Sequence, residues 1–186
     1  MTRAFFYFGL FVLFGGCTGG LHTRGEQRLA LRANYGDPVV GSALGYRGNG
    51  NAKNVGASAA FEHFVHDRVA LSGGLGYRYY DQSDGPVHAA ELEVGVRHFV
   101  LELGDVALSL DVFGGFMIAS RSVPEAGTPY NFLLGFGPTI EIPLGDNATL
   151  LIGYQFRHVS NGRGRSEPDN PTQNDHRAVV GIAIKW

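Results

Sequence analysis

The sequence has one cysteine in 186 residues, few charges and no apolar run long enough to make a membrane helix. The lone Cys17 excludes an internal disulfide framework. Charged residues are 17% of the chain and the net charge is −2, so no global field points to nucleic acid as a partner. Beyond residue 26 no window holds a 3.6-residue apolar period, which argues against amphipathic helices. What the chain does have is glycine, 28 residues of it, and 12% aromatics. That composition suits strands joined by tight turns, and the length suits one domain.

The N-terminus reads as an export signal. Arg3 supplies the positive region, and Ala4–Phe14 is an eleven-residue apolar stretch where a spanning helix would need about 20. Small residues follow in "GGCTGG", so residues 1–20 are expected to be removed by cleavage near 16–20. Residues 21–186 then form the mature domain. "FGGC" resembles a lipoprotein signal, but Phe14 stands where that signal usually has leucine, which argues against acylation of Cys17.

Period-2 alternation recurs through the rest of the chain. It predicts strands at Gln27–Tyr35, Asn54–Val65, Arg68–Tyr80, His88–Phe99, Val106–Ala119, Phe132–Ile142, Ala148–Ser160 and Arg177–Trp186. Eight strands, mostly of ten residues or more, fit tilted membrane crossings of about 9–11 residues. The connections alternate between longer and shorter. Short periplasmic turns and longer external loops are the habit of outer-membrane barrels, and an even strand count closes the sheet. The expected fold is all-β: an eight-stranded antiparallel up-and-down transmembrane β-barrel, multi-pass in the bacterial outer membrane, with both termini in the periplasm.

Each strand sorts into two faces. The apolar faces are expected to end in a girdle of Tyr35, Tyr77, Tyr79, Phe99 and Trp186. The polar faces carry Glu62, Glu91, Glu93, Asp111 and Glu141 against Arg32, Arg78, Arg97, Arg157 and Lys185. A narrow barrel would pair these charges in its lumen and leave no wide pore. A soluble lipid-binding barrel with the faces reversed is the competing architecture. The ending "AVVGIAIKW" resembles the C-terminal signature of outer-membrane barrels and favours the membrane.

The seventh strand carries the chemistry. Leu150, Ile152, Tyr154 and Phe156 form its lipid-facing side, and by parity His158 and Ser160 continue that side at the external rim. Two ordinary interfacial polar residues would explain the pair. An imidazole within reach of a hydroxyl would also make a nucleophile of a serine, given a third group to hold the ring and donors for an oxyanion. The loop beyond offers Asn161, Gly162, Gly164 and Asn170 as such oxyanion or substrate-binding donors.

"RHVSNGRG…DNPTQN" resembles the signature of the PagL-type lipid A deacylases, in which a strand ends in His-x-Ser-Asn ahead of an Asn-Pro. The resemblance implies an outer-membrane serine esterase that removes the hydroxyacyl chain ester-linked at position 3 of lipid A, a lipopolysaccharide modification. Ser160 would be the nucleophile and His158 the general base, with lipid A of the outer leaflet as the partner. The chain departs from the pattern at two places. It has Gly162-Arg163-Gly164 where the family usually has Ala-Gly after the Asn, and Thr172 where the family has glycine after Asn-Pro.

The third member is expected to be Asn174, with its neighbour Asp175 as the alternate. The family's acid lies a few residues after its Asn-Pro, which falls at Asn174 here, whereas the nearest carboxylate is Asp175. Counting back from a lipid-facing Trp186 puts Asn174 on the face of His158 and Asp175 in the lumen, unless a bulge intervenes. Arg163 and Arg165 are candidates for lipid A phosphates or for simple solvation. His63 and His66 lack the spacing of a helical metal site, so neither metal nor cofactor is expected. The alternative function is a non-enzymatic outer-membrane barrel, structural or adhesive. Oligomeric state stays open between monomer and homodimer.

Overall fold

The computed structural model describes residues 21–162 and 171–186. The expected export signal, Cys17 and the loop arginines Arg163 and Arg165 lie outside them. Eight long strands close into one antiparallel barrel: β1 (Gln27–Pro38), β4 (Lys53–His66), β5 (Val69–Gln82), β6 (Gly85–Leu103), β7 (Val106–Val123), β8 (Thr128–Pro143), β9 (Ala148–Ser160) and β10 (Gln173–Lys185). Between β1 and β4 a two-stranded hairpin forms from β2 (Gly41–Ala43) and β3 (Tyr46–Gly48). Each barrel strand pairs with its neighbours in sequence, and β1 pairs β10 to close the ring, so no edge is left to attract another chain.

The faces sort as the alternation predicts, and they sort for lipid. Leu75, Val94, Leu92, Val112 and Val180 are among the exposed outward side chains, while Arg28, Glu62, Arg78, Arg97 and Arg157 are buried inside. A soluble lipid-binding barrel would have these faces exchanged. An uninterrupted apolar wall of this kind is far larger than the patches water-soluble monomers expose. Trp186 packs beside Phe61 with ring centroids 6.2 Å apart on the outer surface at the end of β10.

The lumen is held by two ion-pair clusters. At the periplasmic end Arg28 binds Glu62 (2.5 Å) and Glu141 (2.6 Å), and Arg97 bridges Asp111 (2.7 Å) and Glu141 (2.9 Å). Nearer the external end Arg78 and Arg157 both bind Glu91, and Arg157 also donates to the Tyr80 hydroxyl (2.8 Å). A cavity of about 40 Å³ bordered by Arg32, Glu93, Asp111 and Arg177 has room for a few waters. Among the described residues the interior is packed, not open.

Several expectations need correction. Lys185 is exposed at the periplasmic mouth rather than paired in the lumen, whereas Arg28 and Arg177 are inside. Phe99 is buried, not part of a lipid-facing girdle: it shares the inward parity of Arg97 and stacks with Phe64 over the periplasmic end. The outer connections are also less uniformly long than the sequence suggests. β6 and β7 continue to tight turns at 83–84 and 124–127, leaving only 39–52 and 161–172 as long external segments. The last strand starts at Gln173, four residues before its expected start, because hydrogen bonding to β9 continues to the rim.

Candidate functional site

The first long external segment meets Thr172, just ahead of β10, at the rim beside the top of β9. Register across this pair is unbroken from Gln173↔Val159 to Ile184↔Ala148, so no bulge disturbs the parity. Val159 and Arg157 point inward and are fully buried, which sends His158 and Ser160 outward as half-buried residues. His158 sits in a cross-strand row between Leu134 of β8 and Asn174 of β10, and Ser160 lies opposite Phe132. The polar pair is therefore walled by apolar side chains on the β8 side.

Asn174 is fully buried, and its Oδ1 lies 2.7 Å from His158 Nδ1. An amide oxygen can only accept, so with Oδ1 facing the ring this contact calls for the proton on Nδ1 and makes Nε2 the basic nitrogen. Asp175 goes the other way. Its carboxylate is buried in the lumen, 2.6 Å from Gln173 Nε2 and 3.7 Å from Arg157 Nη1. It belongs to the interior charge network and lies on the opposite side of the wall from His158.

Of the four expected donors, Asn161 and Gly162 are described and follow Ser160 directly, while Gly164 and Asn170 lie outside the described residues. Gly162 has φ of +78°, and a Cβ there would come within 3.1 Å of the Phe132 ring. Both facts call for glycine at that position. The backbone bends just past Ser160, at Gly162.

Sequence reasoning put Tyr154 and Phe156 on the lipid-facing side but passed over His176, which packs against them. Phe156 faces lipid but is covered by Phe136 (5.7 Å between centroids) and His176 (6.2 Å), and the Tyr154 hydroxyl bonds to His176 Nδ1. His176 shares the outward parity of Asn174, so the signal for it was present. The arrangement as a whole can do one thing that a lumen site cannot. It offers a hydroxyl, an oriented imidazole and a turn of backbone to a molecule standing in the membrane against the barrel wall.

No family model and no curated protein matches the sequence. Among solved structures, Neisserial surface protein A is similar with TM-score 0.62 and 13% identity, covering 86% of this chain and 97% of that one. The outer membrane enzyme PagL gives 0.59 and 13%, covering 82% and 97%. The outer membrane protein OprG from Pseudomonas aeruginosa gives 0.54 and 11%, covering 90% and 99%. At such identities the likeness is one of fold. Apolar outside, charged within and closed without an edge, the chain is an eight-stranded β-barrel of the bacterial outer membrane.

Proposed function

We propose that this barrel is an esterase that hydrolyses the 3-O-linked hydroxyacyl chain of lipid A. The observation that carries the reading is the 2.7 Å contact between His158 Nδ1 and Asn174 Oδ1 on the lipid-facing side of the rim, two residues from Ser160. At the rim such a pair costs little in itself, and what sets it apart is an imidazole held by a partner two residues from a hydroxyl. At the outer rim it would meet the ester-linked chains of outer-leaflet lipids.

His158 Nε2 takes the proton of the Ser160 hydroxyl as Oγ attacks the ester carbonyl carbon. The tetrahedral oxyanion is received by backbone N–H groups of Asn161 and Gly162. Collapse breaks the bond to the sugar oxygen, which leaves with the proton held on His158. Water, deprotonated by the same Nε2, then releases the acyl chain from Ser160. Asn174 keeps the ring in the productive tautomer and stabilises the imidazolium through its Oδ1, as asparagine does in papain-like enzymes. The fold neighbour PagL, named as an outer membrane enzyme, is compatible with this chemistry. Neisserial surface protein A has the same fold under a name that implies no reaction, so the barrel alone does not choose.

The test is mass spectrometry of lipid A from cells with the protein, without it, and with Ser160→Ala. Loss of one hydroxyacyl chain only with the wild-type protein supports the reading. Identical lipid A in all three would leave a non-enzymatic barrel, structural or adhesive.

A further inference from the structure

The three residues that lead into the site, Thr172 to Asn174, are gripped from above by the first external segment. Asn49 N and Gly50 N both donate to the Thr172 carbonyl at 2.8 Å, and the Thr172 hydroxyl donates to the Arg47 carbonyl. Val39 N donates to the Asn174 carbonyl at 2.8 Å, and Gln173 Nε2 donates to the Ala52 carbonyl at 2.8 Å. The β2–β3 hairpin itself lies flush on the Asn174 side chain. A Cβ at Gly48 would stand 3.0 Å from Asn174 Nδ2 and 2.3 Å from the Val39 carbonyl oxygen.

We infer that the β2–β3 hairpin is a clamp that positions Asn174 against His158, with Thr172 and Gly48 as its positioning residues. The effect on turnover rests on the esterase reading; the effect on the imidazole does not. The physical need is plain. The terminal torsion of an asparagine is broad and roughly two-fold, and a flipped amide would present N–H where His158 needs an acceptor. Backbone pairing to β9 fixes where Asn174 is, not which way its amide faces. The hairpin supplies a close wall beside Nδ2, and that wall can approach only because residue 48 has no side chain. The Thr172 hydroxyl ties the wall to the strand it guards. This also gives a reason for threonine at a position where the resembled deacylases usually have glycine, since glycine could not make that bond.

The experiment uses the barrel in lipid nanodiscs with ¹⁵N-labelled histidine, the His158 signals being identified by their loss in His158→Gln. The wild type should show a slowly exchanging Nδ1–H on His158. Thr172→Val and Gly48→Ala should broaden or shift it, Thr172→Ser should keep it, and Leu44→Ala at the exposed hairpin tip should leave it alone. On lipid A, Thr172→Val should lower kcat about fivefold or more with KM unchanged, Thr172→Ser should restore it, and in an Asn174→Ala background the valine should cost nothing further. A wild type without the Nδ1–H signal overturns the clamp. So does an unchanged signal in Thr172→Val, or an equal loss of kcat with Asn174 already removed. If the signal responds as expected but the wild type releases no acyl chain, the esterase reading fails and the clamp stands.

Discussion

At the scale of single residues, neighbours in sequence have opposite duties because a strand turns alternate side chains to opposite sides. Asn174 touches His158 across the outer face, and Asp175 touches Arg157 across the lumen. The two make a sharp pair of predictions. Asn174→Ala should lower kcat on lipid A by about 10²-fold or more, within the range that a misdirected acid–base group costs, while leaving the thermal midpoint little changed. Asp175→Ala should do the reverse: near-normal kcat, and a lowered midpoint from leaving Arg157 with fewer partners in a buried network. Kinetics and thermal unfolding on both variants decide it. Full activity in Asn174→Ala with a large loss in Asp175→Ala would mean that the side-chain parity is reversed in the working protein. Ser160→Ala and His158→Ala should each abolish turnover, and the double variant should be no worse than either, since nucleophile and base act as a unit.

At the scale of the element, the turn after β9 carries its own prediction. Alanine at Gly162 would add about 1 kcal/mol of backbone strain at a positive φ and press its Cβ on the Phe132 ring. The expected result is a loss of kcat of up to about 100-fold, as for a displaced oxyanion donor, with the barrel still folded by heat-dependent gel mobility. Unchanged kcat would remove this turn from the mechanism. The eight strands were legible because each keeps one face apolar through its middle, and parity then carried His158, Ser160 and Asn174 to one surface. What was not legible lay where alternation says least. The β2–β3 hairpin is three residues a side and reads as loop, since glycine-rich segments carry no face. Gln173–His176 is polar at every position, so the last strand looked shorter than it is, although both its neighbours in the sheet continue to the rim. Phe99 was misassigned because an aromatic residue at a strand end looks like a girdle residue even when its parity matches that of a lumen arginine. Arg28, four residues before Arg32 on the same face, could have been found by the same count.

At the scale of the whole molecule, the barrel is stable only if its interior charges are jointly satisfied and its exterior stands in lipid. The mature protein should therefore fractionate with outer membranes and require detergent for extraction, and its band should shift on boiling. Recovery in the soluble fraction would contradict the apolar outer wall. Arg97 bridges Asp111, Glu62 and Glu141, so Arg97→Met should cost about 3–5 kcal/mol in unfolding from detergent, the usual penalty for stranding buried carboxylates.

The periplasmic end adds a dependence on pH. His22 lies before β1, with Nδ1 3.2 Å from Glu26 and Nε2 3.3 Å from Glu141, and its ring stacks on Phe64 and packs tilted against Phe99. Burial opposes the charged imidazolium, but the hydrogen bonds to Glu141 and Glu26 outweigh it against a nearby Arg28, and the pKa is raised from the ordinary 6.5. A raised folded-state value means the imidazolium is bound more tightly in the native barrel than in the unfolded chain. The stabilisation is then complete below about pH 6.5 and fades as the pH rises through the higher native value. Unfolding midpoints of the wild type should accordingly fall between mildly acidic and mildly alkaline buffer. His22→Phe keeps the ring packing on Phe64 and Phe99 and removes the charge, so its midpoints should lose that slope over the same range. An equal slope in both proteins would show that some other group sets the pH dependence and that His22 closes the barrel by stacking alone.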